Sequence, residues 1–265
     1  MISVDPSSRR EGSNPPAAIG PTSMPMPSAP LRIALIALAS DHGIRDEMGL
    51  LLGRRGELHL ARVAAPDGYD LASLAATTGN IGRALQWMGT GASVNVAAYG
   101  CTSATVVVGE NHVKRRLRRA LPHAPCTTPI TAALAAFDQL GARRIALLTP
   151  YPEPIHSAVA RYLAGRGLQL VDQATLDIAT DRAITDYPAE GLRARILGLD
   201  RRGADAIFVS CTSLRIASAI RRIEAAVGLP LVTSNQALAW HCLKLAGRSA
   251  KIAGFGQLLA RNPHL

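Results

Sequence analysis

The sequence predicts an α/β fold made of two similar lobes, each a parallel sheet flanked by helices, with an active-site cleft between them. Two observations lead to this prediction. Short, nearly continuous apolar runs alternate with patterns of helical spacing, which is typical of buried strands in parallel sheets. In addition, several motifs return in the same order about 110 residues later, which indicates a duplicated unit related by a pseudo-twofold axis.

Five apolar runs are predicted to be strands, at 32–39, 94–99, 145–148, 206–209 and 229–232. Each run is short and ends in polar or turn-forming residues, as expected for a strand that is buried on both faces. The helical patterns between them lie at 113–121, 132–140, 155–166 and 217–227. The alternation of the two patterns favours sheets whose strands are connected by helices.

The internal repeat rests on three pairs of landmarks. The run Arg32-Ile-Ala-Leu-Ile returns as Arg144-Ile-Ala-Leu-Leu, and a Cys-Thr-Ser motif occurs at both Cys101 and Cys211. A proline also precedes a similar segment in each copy, at positions 125 and 230. Shared order and spacing of this kind indicate duplication.

The repeat suggests where the lobes begin and end. We assign residues 31–126 together with about 234–265 to lobe 1, and about 127–233 to lobe 2. Residues 1–30 contain seven prolines and no continuous apolar stretch, so we expect a disordered tail rich in proline and serine.

Composition narrows the possible functions. With 265 residues, 48% of them hydrophobic, the chain can bury a large core. No apolar run is long enough for a membrane helix, and no export signal is evident, so we expect a cytoplasmic protein without membrane partners. The net charge is +10, but only 4% of residues are aromatic. The basic cluster at 114–119 therefore predicts an exposed helix face and no nucleic-acid partner.

The four cysteines are predicted to be free thiols that bind no metal. No pair has the CxxC spacing of zinc or redox sites, and a disulfide framework is not expected in a chain of this kind. Cys126 and Cys242 lie in apolar or helical surroundings and are interpreted as packing residues. Cys101 and Cys211 each follow a predicted strand, and we expect a helix to begin directly after each of them.

A helix that starts beside a cysteine can make its thiol reactive. Free backbone N–H groups and the positive helix end lower the pKa of a thiol and favour the thiolate. The same N–H groups can hold a substrate carboxylate, together with the neighbouring hydroxyl groups. The hydroxyl candidates are Thr102, Ser103, Thr212 and Ser213. An ordinary helix cap followed by a buried cysteine remains the alternative interpretation of each turn.

Two thiols on opposite walls of one cleft suit two reactions. In the first, one thiolate removes a proton from carbon while the other thiol delivers a proton to the opposite face, which inverts a stereocentre. In the second, one thiolate adds to an activated double bond, the adduct rotates, and the thiolate leaves. Both routes pass through an enolate-like species that nearby N–H groups would stabilise.

At these residues the chain resembles the aspartate/glutamate racemase superfamily. It is most similar to the branch that holds maleate cis–trans isomerases, arylmalonate decarboxylase and ectoine-utilisation racemase-like proteins. The resemblance spans roughly residues 31–258. The matching stretches are Ala98-Tyr-Gly-Cys-Thr-Ser-Ala-Thr, Leu147-Leu-Thr-Pro-Tyr151, Val209-Ser-Cys-Thr-Ser-Leu-Arg215, Thr233-Ser-Asn-Gln-Ala-Leu-Ala-Trp240 and Gly254-Phe-Gly.

The resemblance implies roles for particular residues. Cys101 would be the first catalytic cysteine, acting as nucleophile or base, and Cys211 the second, acting as proton donor or opposite base. Thr102, Ser103 and Tyr151 would bind the substrate carboxylate. The resemblance also implies an isomerase that needs neither pyridoxal phosphate nor metal, acts on a small carboxylate, and forms a homodimer or higher homo-oligomer.

Three departures from the pattern bear on the substrate. Decarboxylase relatives have glycine at the first cysteine position, so Cys101 argues against decarboxylation. Asp41 and Asp181 stand where maleate isomerases carry asparagines. An amide can donate a hydrogen bond to a substrate carboxylate, whereas an ionised aspartate repels one. The two aspartates therefore favour a substrate with an amino or amide group.

Three functions remain open at this point. The first is a cofactor-independent racemase or isomerase of a small carboxylate or amino-acid-like substrate. The second is a maleate cis–trans isomerase, which converts maleate to fumarate. The third is a non-catalytic bilobal protein whose cleft captures an acid.

Overall fold

Two parallel sheets, each of four strands, form the framework of the part of the chain that the structure describes. The structure, a computed structural model, describes residues 30–65, 70–87, 94–249 and 251–260. The predicted tail at 1–30 lies outside the described residues, except for its last residue. The first sheet contains β1 (Leu31–Leu38), β2 (Gly56–Val63), β3 (Val96–Gly100) and β4 (Cys126–Thr127). The second contains β5 (Arg144–Thr149), β6 (Gln169–Thr175), β7 (Ala206–Val209) and β8 (Leu231–Thr233).

Helices alternate with these strands along most of the chain, as in repeated β–α units. In the order of the chain they are α1 (Ile44–Leu52), α2 (Leu71–Thr77), α3 (Ile81–Trp87), α4 (Thr102–Val108), α5 (Glu110–Ala120), α6 (Pro129–Leu140), α7 (Glu153–Ala164), α8 (Asp181–Thr185), α9 (Ala189–Leu197), α10 (Ile220–Val227), α11 (Ser234–Leu245) and α12 (Gly256–Ala260). None of the helices in these described ranges is long and apolar enough to cross a membrane.

The two sheets have the same topology. Their strand orders are β2-β1-β3-β4 and β6-β5-β7-β8, and every neighbouring pair is parallel. This confirms the predicted α/β fold with two similar parallel-sheet units. We call residues 30–127 the first half and residues 144–233 the second half. The lobe boundaries predicted above, which also place 234–265 in lobe 1, remain predictions.

The sequence landmarks occupy equivalent places in the two halves. Arg32 and Arg144 each stand at the start of the strand that pairs on both sides, β1 or β5. The carbonyl of Pro125 accepts the N–H of Ala97 at 2.9 Å, and the carbonyl of Pro230 accepts the N–H of Ile207 at 2.9 Å. The repeat read from the sequence is therefore also present in the backbone pairing.

The sequence analysis missed one edge strand of each sheet, β2 and β6, and also the two-residue edge strand β4. β2 and β6 lie at sheet edges, and most of their residues are only half-buried. Their sequences, GELHLARV and QLVDQAT, mix polar with apolar residues, because a strand at an edge keeps contact with solvent. The search for continuous apolar runs finds central strands such as β3 and β7, which are buried along their whole length.

The two halves approach each other closely at Gly43. A Cβ atom at this position would lie 2.6 Å from the carbonyl oxygen of Ser213, which belongs to the second half. Real Cβ atoms do not approach backbone oxygens this closely, so only glycine allows the contact. Gly43 also precedes α1, which thereby packs directly against the turn that follows β7.

We predict that Gly43→Ala destabilises the protein by about 1–3 kcal/mol, because the added methyl group must push two backbone segments apart. Urea unfolding followed by circular dichroism measures the change. The matched control is Gly49→Ala, within the same helix, where an added Cβ meets nothing within 4 Å. That control should leave stability unchanged or raise it by up to about 1 kcal/mol, since alanine favours helix. Equal effects of the two substitutions would contradict the close approach.

Candidate active site

Cys101 lies where the sequence predicted, between a strand and the start of a helix. It follows β3 and is the N-cap of α4, and its sulfur accepts the Ala104 N–H at 3.5 Å. The Ser103 hydroxyl is 3.6 Å from the sulfur. The cysteine side chain is therefore held by the first turn of the helix, and the predicted strand–turn–helix arrangement is confirmed at this position.

Cys211 follows β7, but no helix begins directly after it, so that part of the prediction is wrong. Residues 212–216 form bends and irregular backbone, and the helical segment starts only with a 3₁₀ turn at Ala217–Ala219. The Cys211 sulfur accepts the N–H of Ser213 at 3.4 Å. Several polar groups of 212–217 bind distant parts of the chain instead of forming helical hydrogen bonds.

The two cysteine turns meet. The Thr212 hydroxyl donates a hydrogen bond to the Gly100 carbonyl at 3.2 Å, which joins the residue after Cys211 to the residue before Cys101. The Cys211 N–H also donates to the Ser234 hydroxyl at 3.1 Å. The two Cys-Thr-Ser turns therefore lie side by side, whereas a cleft with one thiol on each wall stays a prediction.

Ser234 joins both turns and was missed as a site residue. Its oxygen is 3.0 Å from the Thr102 hydroxyl, in addition to its bond with the Cys211 N–H. The preceding Thr233 and the following Gln236 form a capping box at the start of α11. The Thr-x-x-Gln spacing was visible in the sequence as a helix-start signal, but it carried no information that this helix would begin beside the cysteines.

Tyr151 also lies among the site residues and is almost completely buried. Burial raises the pKa of its phenol well above the usual value, and the neighbouring Cys211 and Cys101 groups raise that pKa further. The pKa of Tyr99 is raised in the same way by burial and by Cys101, and its hydroxyl is 2.8 Å from the Thr77 hydroxyl. Both phenols are therefore neutral hydrogen-bonding groups. Sequence reasoning gave no role to Tyr99.

Two buried carboxylates complete the cluster. One oxygen of Asp41 accepts the N–H groups of Gly43 and Ile44, both at 2.9 Å, at the start of α1. Asp181, from the second half, accepts hydrogen bonds from the Ser213 hydroxyl at 2.9 Å and from the Ser40 hydroxyl. Asp181 thus connects the Cys211 turn to the loop that carries Asp41.

The environment raises the pKa of Asp41 to about 6. Burial is the largest cause, and the charge of Asp181 adds to it, while the N–H groups of Ile44 and Gly43 act in the opposite direction. The nearby Thr212 side chain also lowers the pKa of Asp41. In the structure the Thr212 hydroxyl donates its hydrogen bond to the Gly100 carbonyl. The second carboxylate oxygen of Asp41 has no hydrogen-bond partner among the described residues.

Both candidate thiols have raised pKa values, which corrects the expectation that helix starts would lower them. The pKa of Cys101 rises to about 12, mainly through burial, and the carboxylates of Asp181 and Asp41 raise it further. The pKa of Cys211 rises for the same reasons. Desolvation and two nearby negative charges outweigh the N–H groups that bind each sulfur.

The surroundings of Cys126 and Cys242 are consistent with a packing role. Cys242 is completely buried within α11, and burial alone raises its pKa to about 12. Cys126 lies in the short strand β4, and its sulfur is 3.9 Å from the Lys114 carbonyl. Across the described ranges, no three His, Cys, Asp or Glu side chains are grouped closely enough to hold a metal ion.

A cavity of about 450 Å³ is lined by residues of and around β2 and α3. It is lined by Arg62, Asn80, Arg83 and small apolar residues, and it contains none of the predicted site residues. Arg62 connects it to the cluster, because its guanidinium donates to the Asp41 carbonyl at 2.6 Å and to the Leu38 carbonyl at 2.8 Å.

Comparison with known proteins agrees with the resemblance predicted from the sequence. The family model of arylmalonate decarboxylase matches residues 58–259. A maleate isomerase of Pseudomonas putida is 28% identical over 177 residues, which is 64% of this chain and 71% of that protein. Arylmalonate decarboxylase of Bordetella bronchiseptica is 34% identical over 140 residues, which is 51% of this chain and 57% of that protein.

A solved structure shares the fold. The maleate cis–trans isomerase of Nocardia farcinica, in a cysteine-to-serine variant with a covalently bound succinylcysteine intermediate, superposes with a TM-score of 0.82 at 24% identity. The match covers 87% of this chain and 98% of that structure. The relatives named here are enzymes, in agreement with the predicted enzyme. Because the family model spans well over half of the sequence, the chain belongs to the arylmalonate decarboxylase family.

Proposed function

We propose that the protein is a cofactor-independent racemase or isomerase that uses Cys101 and Cys211 on a small carboxylate or amino-acid-like substrate. The observation that carries the proposal is the contact between the two cysteine turns, through the Thr212 hydroxyl and the Gly100 carbonyl. This contact supports a site in which both thiols act on one small molecule. Thr102, Ser103, Thr212, Ser213 and Tyr151 are the proposed partners of the substrate, together with the N–H groups of the Cys101 turn.

The proposed reaction uses the two sulfurs as a base and an acid. One thiolate takes the proton from the carbon beside the carboxylate, and the electron pair of the C–H bond moves into an enolate-like species. The opposite thiol then gives its proton to the other face of that carbon, so the second sulfur becomes the thiolate. The net change is inversion at carbon, with no oxidant, reductant or leaving group.

The aspartates support a substrate that carries a positive charge or an N–H donor. Asp41 and Asp181 raise the pKa values of both thiols, and no lysine or arginine side chain is among the buried residues that the structure describes. A substrate ammonium group placed between these carboxylates would offset their charge and make each thiolate easier to form. An amino-acid-like substrate therefore suits this site better than a dianion.

Maleate cis–trans isomerisation is the second candidate function. It is favoured by the similarity to maleate isomerases, at 28% identity for the Pseudomonas putida protein. In this reaction one thiolate would add to the double bond and leave after rotation about the resulting single bond. The two aspartates weigh against it, because maleate carries two negative charges of its own.

The proposal includes three further expectations from the sequence. They are a cytoplasmic location, self-association into a homodimer or higher homo-oligomer, and a role close to that of the ectoine-utilisation proteins. We also propose the lobe boundaries given above, with the thiols on opposite walls of the cleft. Light scattering on the purified protein measures the subunit number directly.

A screen in heavy water tests the proposed function. We expect one member of a panel to exchange its α-hydrogen for deuterium, read by proton NMR, because the first thiolate must remove that hydrogen. The panel contains aspartate, glutamate, hydantoin-like compounds, diaminobutyrate derivatives and maleate. Conversion of maleate to fumarate without exchange elsewhere would favour the second candidate. Tight binding without any turnover would instead indicate a non-catalytic binding protein.

We predict that Cys101→Ser and Cys211→Ser each lower kcat by about 10²–10⁴-fold, the usual contribution of a positioned acid or base. The folds should be retained, since serine is close in size to cysteine. Cys126→Ser is the matched control and should stay within about twofold of the wild type, because its surroundings suit packing rather than chemistry. Full activity in either of the first two variants would refute the two-thiol mechanism.

We predict that Asp41→Asn flattens part of the pH dependence of stability. The pKa of Asp41 is raised to about 6 in the folded protein, so between pH 4 and 6 the folded state binds more protons than the unfolded state. Stability contributed by this group is therefore present at low pH and lost as pH rises towards 6. The difference between wild type and variant should change by up to about 3 kcal/mol across this range. Urea unfolding at several pH values measures it, and parallel curves would contradict the raised pKa.

A further inference from the structure

Glu47 reaches from the first half into the turn that follows Cys211. It lies on α1 and is only 5% exposed. Its carboxylate accepts the N–H of Ile216 at 3.2 Å and the N–H of Ala217 at 3.0 Å. These bonds join positions that are 169 and 170 residues apart in the chain. They are buried bonds to a carboxylate, which belong to the stronger class of protein hydrogen bonds.

Charged and polar groups surround the Glu47 carboxylate. Burial raises its pKa to about 6, while the N–H groups of Ile216 and Ala217 and the charge of Arg215 act in the opposite direction. Arg215 is itself 3.8 Å from the Asp46 carboxylate. Asn235, on α11, faces the same turn and donates to the Thr212 carbonyl at 2.8 Å. The bonds to Glu47 therefore form part of a shell around the Cys211 turn.

The bonds to Glu47 explain why the two cysteine turns differ. At Cys101 the N–H group of the following helix binds the sulfur itself. At Cys211 the helical segment starts six residues later, and the N–H groups at its start are taken by a carboxylate from the other half. The conformation of the second turn thus depends on a residue outside the repeat unit that contains it.

We propose that Glu47 is a positioning residue for Cys211, holding residues 211–217 in the conformation that keeps this thiol beside the Cys101 turn. The functional part of this inference rests on the proposed function of Cys211, but the structural part does not. Loss of the carboxylate leaves the Ile216 and Ala217 N–H groups buried without an acceptor. The turn then opens more often, and the Cys211 thiol loses its alignment with the substrate.

A second buried glutamate provides a matched control. Glu224 is 8% exposed and accepts the N–H groups of Leu231 at 2.9 Å and of Gln257 at 2.9 Å. It thus resembles Glu47 in burial and in its backbone partners. However, it ties α10 to β8 and α12 rather than to the cysteine turns. Removal of either glutamate should cost stability, whereas only Glu47 should affect Cys211 selectively.

The test measures alkylation of individual cysteines by iodoacetamide, with peptide mass spectrometry, in the full-length protein. In Glu47→Ala we expect the rate at Cys211 to rise at least about tenfold relative to the rate at Cys101, which corresponds to the loss of a hydrogen bond to a charged group. Glu47→Gln should show a smaller rise, because its amide oxygen can still accept one N–H group. Glu224→Ala should keep the ratio within about twofold of the wild-type value.

Kinetics with the substrate found by deuterium exchange adds a second measurement. We expect kcat to fall in Glu47→Ala and to recover in part in Glu47→Gln, with KM changed less than kcat. An unchanged labelling ratio in both Glu47 variants, or an equal rise in Glu224→Ala, would overturn the inference. If Glu47→Ala does not fold, the ratio in Glu47→Gln decides. If no substrate is found, the proposed function fails while the labelling result still stands or falls alone.

Discussion

The site depends on one hydrogen-bonded junction between the two halves of the molecule. The Thr212 hydroxyl binds the Gly100 carbonyl, and the Ser234 hydroxyl lies between the Cys211 N–H and Thr102. These polar groups are buried. Separating any of them from its partner without access to water would therefore destabilise the protein. The junction therefore fixes how closely the two cysteine turns approach, and a small rotation of one half against the other would break several bonds together.

Charge is the second property that distinguishes this site. Two aspartates lie close to two thiols in a region with little access to water, and each acid raises the pKa values of the sulfurs. Such an arrangement disfavours the reactive thiolate until something positive or protonated lies nearby. An ammonium group near these carboxylates would offset their charge, whereas a further negative charge would add to it.

The internal repeat is symmetric in its strands and asymmetric in its site. The strand orders of the two sheets correspond, and Pro125 and Pro230 bind equivalent strands. At the cysteines the symmetry ends, because Cys101 caps a helix and Cys211 lies in an irregular turn held by Glu47. The two sulfurs therefore have different surroundings, although the strands that precede them occupy equivalent places in the two sheets.

The central strands, the duplication and the strand–turn–helix arrangement at Cys101 could be predicted from the sequence, because hydrophobic runs and local motifs reflect interactions between residues that are near in the chain. The sequence analysis missed β2 and β6, whose half-exposed faces lack a continuous apolar pattern, and β4, which has only two residues. The raised thiol pKa values, the bond of Asp181 to Ser213 and the contact of Glu47 with the other half follow from the packing of the folded chain and could not be predicted. Burial and contacts across more than a hundred residues have no local signature, since they exist only after the two halves have packed together.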